Sequence, residues 1–212
     1  MKLFTLAEAW AYIGGLSEPS KMPCYSYSIS PRACKTGSRL AKIPGTVCSK
    51  CYAFRGNYPR PNVVRKQVHR MAAISKPYWV DAMVAAIGSK ESSGYFRFFD
   101  SGDLQNLGHF IKICKVASLL PHIQFWLPTR EHRILRAYKR AGFEFPPNLT
   151  IRYSAVKFEE LPPKDLLLEL GIVGSNVSKV KWSCPSDLQN NQCLCCRKCW
   201  QKSVPNVTYK YH

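Results

Sequence analysis

Between residues 95 and 156 the chain alternates short apolar, aromatic-rich runs with helical periods, and this restricts its fold more than any other feature. YFRFFDSGDL (95–104) reads as a strand ending in a polar turn. NLGHFIKICKVASLL (106–120) follows as a helix with Leu107, Phe110, Ile111 and Cys114 on one face. HIQFWLPTRE (122–131) repeats the strand pattern, HRILRAYKRAG (132–142) is a helix closed by Gly142, and NLTIRYSAV (148–156) is a third strand. Strands that alternate with helices over short connections predict an α/β fold with a parallel sheet, open or partly closed into a barrel. Two helices, RKQVHRMAAIS and PYWVDAMVAAIG (65–88), precede this β/α core, and LPPKDLLLELG (161–171) follows it. No internal repeat or linker divides the chain. Its 212 residues suffice for one core without disulfide staples, so residues 1–212 are read as a single domain.

In such sheets reactive groups gather at the carboxyl ends of the strands. Three polar sets fall there: Asp100-Ser101-Gly102-Asp103, Thr129-Arg130-Glu131, and Arg152 with Ser154. Asp100, Asp103, Arg130 and Glu131 are the candidate catalytic groups, and Arg152 and Ser154 candidate cofactor contacts. Carboxylates and guanidinium groups in one mouth suit an amino-acid-like or nucleotide ligand. The plainer reading makes Asp103 and Thr129 helix caps and Arg130–Glu131 a solvated pair.

The ten cysteines form two groups at the ends of the chain, with Cys114 alone in a helical pattern as a buried small hydrophobe. In the C-terminal segment, residues 184–199, Cys193, Cys196 and Cys199 make Cys-x-x-Cys-x-x-Cys, and Cys184 before Pro185 adds a fourth thiolate. A continuous triple plus a remote Cys-Pro is how a loop wraps a 4Fe-4S cubane, whereas structural zinc sites join two separate Cys-x-x-Cys turns. Iron-sulfur is therefore the leading reading and zinc the alternative. Cys195, beside Cys196, is the spare and crowds any disulfide scheme. The N-terminal segment, residues 19–64, carries Cys24, Cys34 and the Cys-x-x-Cys of Cys48 and Cys51. Four thiolates there would close a structural site; Cys34, Cys48 and Cys51 alone would hold a cubane with one iron open to a ligand.

MPCYSYSISPRAC, TVCSKCYAFRGNY, YFRFFDSGDL, HIQFWLPTRE and the closing CP…QCLCCRKCW resemble a bacteriophage and prophage family of cysteine-rich proteins over nearly the whole chain. That family in turn distantly resembles radical S-adenosylmethionine enzymes. The resemblance implies a partial parallel β/α barrel with Cys-rich N- and C-terminal metal-binding segments and one or two 4Fe-4S clusters. It makes Cys34, Cys48 and Cys51 candidates for the barrel cluster. It sets Ser101, Gly102 and Asp103 where that superfamily contacts the amino group of S-adenosylmethionine, and implies redox or radical chemistry. The superfamily's Cys-x-x-x-Cys-x-x-Cys is absent, because Pro44 stands four residues before Cys48. Cluster binding is thus carried by cysteine spacing alone.

Charge bears on partners. The chain has 31 Lys and Arg against 13 Asp and Glu, a formal net charge of +18. Residues 19–80 contain no carboxylate but carry Lys21, Arg32, Lys35, Arg39, Lys42, Lys50, Arg55, Arg60, Arg65, Lys66, Arg70 and Lys76, interleaved with Tyr25, Tyr27, Tyr52, Phe54, Tyr58, Tyr78 and Trp79. Cations that follow phosphates and rings that stack on bases are the usual means of holding single-stranded nucleic acid. The expected partner is nucleic acid or a phosphorylated ligand, with a host protein as the other candidate. Core aromatics beneath a solvated cationic face is the competing account. No run is long enough to span a membrane. The apolar start LFTLAEAWAYIGG carries Glu8 where a signal peptide would be apolar, and Leu3, Leu6, Trp10 and Ile13 mark a helical face closed by Gly14-Gly15. The expected location is the cytoplasm, that of the host if the protein is phage-encoded. Two functions remain open: an iron-sulfur redox or radical enzyme, and a metal-stabilised binding protein without turnover.

Overall fold

A computed structural model describes residues 2–211. Six strands form one sheet: β1 (Ser26–Tyr27), β2 (Tyr95–Phe98), β3 (Gln124–Thr129), β4 (Leu149–Ser154), β5 (Val173–Ser178) and β6 (Asn206–Lys210). Every neighbouring pair is parallel, and spatial order equals sequence order. There is no switch point of the kind that marks a doubly wound sheet. β1 and β6 are the two edges, so the sheet is not closed.

The helices are α1 (Leu6–Ile13), α2 (Lys35–Leu40), α3 (Pro61–Ala73), α4 (Trp79–Lys90), α5 (Leu107–Leu119), α6 (His132–Arg140) and α7 (Lys164–Leu170). The expected elements of the 65–171 region all form, with ends moved by a few residues. The sheet reaches well beyond 95–156, because β1, β5 and β6 lie outside that stretch. Among the described residues no helix is long and apolar enough to cross a membrane.

α1 begins later than its apolar pattern suggests. Thr5 caps it by accepting the Glu8 amide at 3.3 Å while the Glu8 carboxylate accepts the Thr5 amide at 2.8 Å. The charge that argues against a signal peptide is thus half of a capping box. Leu3 lies outside the helix and is 88% exposed, which corrects its place on the helical face; of that face Ile13 is buried and Trp10 partly so, with Ala9 buried beside them.

The side-chain period of two sorts the strands between two environments. Phe96, Phe98, Phe125, Leu127, Leu149, Ile151 and Tyr153 join the main core with the helices, where Cys114 is also buried. On the other face Trp126 and Val207 pack with Trp200, Cys24 and Cys199, with Tyr95, Tyr209 and Cys184 at the margin. The C-terminal Cys-rich segment therefore lies across the face that the helices leave free.

Candidate functional site

The loop after β1 is fastened to the turn after β2. Ile29 donates its amide to the Ser101 carbonyl at 3.2 Å, Ser101 Oγ donates to the Ile29 carbonyl at 2.9 Å, and Ser28 Oγ accepts the Asp100 amide at 3.0 Å. Gly102, at φ +84°, comes so close that a Cβ would stand 2.3 Å from Ile29 Cγ1 and 2.9 Å from its carbonyl oxygen. Only glycine fits there. Just before it Phe99, buried, takes φ +58°, an uncommon conformation for a bulky residue and one that re-aims the Asp100–Asp103 turn.

This loop carries the first thiols. Cys34 stands at the residue before α2 without a side-chain cap bond, and a Cβ placed on Gly37 would lie 2.9 Å from Cys34 Cβ and 3.7 Å from both the Cys34 and Cys48 sulfurs. Thr46 Oγ1 caps the 3-10 turn Val47–Lys50 that bears Cys48, and Cys51 follows it. The Val47 amide donates to the Val156 carbonyl at 2.9 Å, tying the turn to the end of β4. The thiols thus span the carboxyl edge of the sheet from β1 to β4.

Asp103 organises the floor of this mouth. Its carboxylate accepts Thr129 Oγ1 at 2.6 Å, the Arg130 amide at 2.9 Å and the Leu104 amide at 2.8 Å. Glu131, also buried, accepts the Thr36 amide of α2 at 2.9 Å. Arg130 donates Nη2 to the Ala155 carbonyl at 3.0 Å. Asp103 and Glu131 therefore join strand ends to the cysteine loop, and the expected solvated Arg130–Glu131 pair is absent among the described residues. Burial pushes Asp103 up to about 6 against its hydrogen bonds. Burial, then Asp103, Cys51 and Cys48, pushes the Cys34 thiol well above its usual range, with Arg130 opposing. Burial raises Cys48 likewise.

The second group gathers on the opposite face. Burial raises the Cys193 thiol, and the charges of Cys184 and Cys196 raise it further. Cys199, pushed up to about 12 by burial, lies 3.3 Å from Tyr209 Oη and within the field of Cys184. Cys24 belongs here, which corrects its place beside Cys34. Burial raises it first, but Cys193, Arg97 and Arg197 also act on it, and Cys193 donates its amide to the Lys21 carbonyl at 2.9 Å. The reason is topological: Cys24 precedes β1 and Cys34 follows it, so the strand separates them. Cys195 is exposed, and all ten cysteines are free thiols.

Arg152 is the other displaced candidate. It is fully buried, and its donors go to the carbonyls of Cys199 (3.0 Å), Gly174 (2.9 Å), Val204 (3.1 Å), Lys198 (2.6 Å) and Gln201 (2.8 Å). Strand alternation turns it, with Thr150, under the Cys-rich tail instead of into the mouth. Ser154 stays at the strand end, 3.4 Å from Ser175 Oγ.

Arg97 is a residue that pattern reading missed, though a lone charge in YFRFF is its sequence signal. It stacks 4.2 Å from the Trp126 ring, donates to Met22 Sδ at 3.3 Å and the Phe99 carbonyl at 3.2 Å, and leaves Nε without a partner. Burial works against its charge, but Tyr52 and Asp100 raise its proton affinity on balance. It acts on Cys24, Cys193 and Cys199 from the tail side and on Tyr52, next to Cys51, from the mouth side.

Among the described residues no three Cys, His, Asp or Glu side chains stand together as a finished metal site. A single zinc draws sulfurs to about 2.3 Å from one centre, whereas a 4Fe-4S core gives each thiolate its own iron and keeps the sulfurs farther apart. The Cys34 and Cys48 sulfurs both lie beside Gly37, and Cys51 is within the field of Cys34. Of the cations in 19–80, all but Arg70 and Lys76 are exposed, and none belongs to an ion pair among the described residues. Tyr27 and Trp79 are core, while Tyr52, Phe54 and Tyr78 are exposed.

A family model described as Gene product 88 matches residues 5–170, which include the first thiol group and β1–β4. No curated protein and no solved structure matches the chain.

Proposed function

The chain belongs to the Gene product 88 family, which is of phage type, and on that premise we propose that it is a 4Fe-4S protein acting in redox or radical chemistry. Cys34, Cys48 and Cys51 would hold one cluster and leave one iron open at the strand ends. Cys184, Cys193, Cys196 and Cys199, with Cys24 alongside, would hold a second. The observation that carries this reading is the convergence of Cys34 and Cys48 on the Gly37 face of α2, beside the Asp103–Arg130 floor. When bound, such a cluster supplies one electron to a molecule at its open iron.

The chain's own residues would then bind and orient. Arg130 places a cation beside the thiolates and Asp103 holds the β2 and β3 ends together. Ser101, Gly102 and Asp103 stand where the resemblance sets the S-adenosylmethionine contact, with Ser101 bonded to Ile29. The sequential, all-parallel strand order supports a sheet curved as a partial barrel, with the tail against its inner face.

Anaerobic purification with iron, sulfide and zinc quantified, beside visible and EPR spectra, tests the reading. Brown protein with matched iron and sulfide is expected, with a reduced EPR signal that changes on adding S-adenosylmethionine. Colourless protein with stoichiometric zinc overturns the cluster assignment. An unchanged signal removes the S-adenosylmethionine part alone.

The unpaired cations of 19–80 favour a second reading, a metal-stabilised nucleic-acid or host-binding protein without turnover. Its mark is single-stranded DNA or RNA binding that weakens steeply with salt; binding indifferent to salt removes it.

A further inference from the structure

A concavity of about 980 Å³ lies between α1, α3 and the β1–β2 side of the sheet, and no cysteine lines it. Its volume is at the upper end for small-molecule sites. The wall is built firmly. Trp10 lies over Gly15, where a Cβ would stand 2.5 Å from its Nε1, and Gly14 packs against Arg70 Cγ at 3.1 Å from its own notional Cβ. Both glycines have positive φ, so α1 ends flush against α3.

The polar groups converge from three sides. Arg70, buried on α3, is held by the Gly14 carbonyl at 3.3 Å and Ser17 Oγ at 2.7 Å. Asp100 offers a carboxylate whose Oδ1 has no hydrogen-bond partner and whose Oδ2 has only the Tyr58 hydroxyl at 3.4 Å. Buried carboxylate oxygens are ordinarily partnered, and with one long bond shared between its two oxygens this cavity-lining carboxylate has capacity for a donor. Exposed Lys66 and Lys90 line the opening, and with Arg70 they outnumber Glu18 and Asp100.

An occupant must therefore combine a flat or apolar body for Trp10 and Tyr58, an N–H donor for Asp100 and an anionic group for the lysines. An amino acid meets the last two demands but fills little of such a volume. We propose that this cavity binds a nucleotide, its base against Trp10 and Tyr58, its exocyclic amine donating to Asp100 and its phosphate held by Lys66 and Lys90. No cysteine lines the cavity, and the proposal stands whether or not either thiol group holds metal.

Calorimetric titration of the purified full-length protein with AMP tests it. AMP is expected to bind at least about tenfold more tightly than adenosine and than the 6-deamino analogue of AMP, since each lacks one charge-assisted contact. The surface double variant K66E/K90E should erase the preference over adenosine. D100A should erase the preference over the 6-deamino analogue while keeping that over adenosine, a pattern that a merely unfolded variant would not show. If D100A fails to fold, W10A reports instead, by weakening AMP and adenosine alike. Absence of AMP binding at millimolar concentration overturns the proposal, as does equal binding of AMP and adenosine. Inorganic phosphate binding as tightly as AMP, or an aromatic amino acid displacing it, would assign a different ligand and overturn it too.

Discussion

Arg152 and Cys199 are joined by a 3.0 Å hydrogen bond from Nε to the Cys199 carbonyl, and the other four bonds of the same guanidinium fasten the flanking tail to β4 and β5. The second thiol group therefore has its position set by a residue whose five donors all go to backbone carbonyls. Arg152→Met should leave several buried carbonyls without donors and cost more than about 2 kcal/mol. Arg152→Lys should rescue little, because one ammonium cannot replace a five-donor fork. Denaturant melts check the stability. Iron analysis should show the C-terminal set lost and the first set kept; loss of both would mean the two groups are not independently held.

Gly37 makes a prediction whose sign differs from that of helix propensity. An exposed helical glycine replaced by alanine ordinarily gains about 1 kcal/mol. Here the added Cβ meets Cys34 Cβ at 2.9 Å, so Cys34 must shift from its place beside Cys48. Gly37→Ala should lower iron bound by the first set with little change at the second. Undiminished loading would separate Gly37 from the site.

The thiol grouping is testable residue by residue. Cys34→Ala should remove the spectrum of one cluster and Cys196→Ala that of the other, with the double variant additive. Cys24→Ala should perturb the same signal as Cys196→Ala, and Cys195→Ala should change neither. A Cys24 effect confined to the Cys34 signal would return it to the N-terminal group.

What could be read in the sequence follows from what each strand packs against. β2, β3 and β4 are legible because one face is buried in the main core and the other is largely covered by the tail, which writes nearly continuous apolar and aromatic runs. β1 is two residues in a polar stretch, and it exists because Tyr25 and Tyr27 offer carbonyls to the amides of Arg97 and Phe99. β5, VGSNVS, looks like a loop; Gly174 is needed there because a Cβ would stand 2.8 Å from Asn206 Oδ1 and 2.9 Å from Pro162 Cγ. Asp103 and Glu131 lie at the strand ends that the parallel-sheet argument indicates, whereas Asp100 turns to the cavity between α1 and α3. Arg152 is not legible in this way, since only the register of β4 reveals that it faces the tail.

His109 predicts an acid-sensitive core. It is buried with Nε2 unpartnered, edge-on to Trp79 and Phe99, and burial, with a smaller effect of Lys112, lowers it to about 3 from 6.5. The unfolded chain then binds the extra proton, so this contribution is full above pH 6.5 and is lost as pH falls towards 3. His109→Phe should flatten the decline of the urea midpoint between those limits. An unchanged slope would show that other groups carry the acid response.

Arg97 decides whether the two thiol groups are electrically coupled. Its guanidinium acts on Cys24, Cys193 and Cys199 from one side and on Tyr52, adjoining Cys51, from the other, with Nε still unpartnered. A buried cation favours the reduced, more negative state of any nearby cluster. Arg97→Met preserves much of the packing on Trp126 but removes the charge, so both midpoint potentials should fall in an EPR-monitored redox titration. The shift should be larger for the tail group, whose thiols feel Arg97 directly. Arg97→Lys, which keeps a cation on the same strand position, serves as the comparison and should shift neither potential by a comparable amount. If Arg97→Met moves only the tail signal, the mouth lies outside its field and each group would work alone.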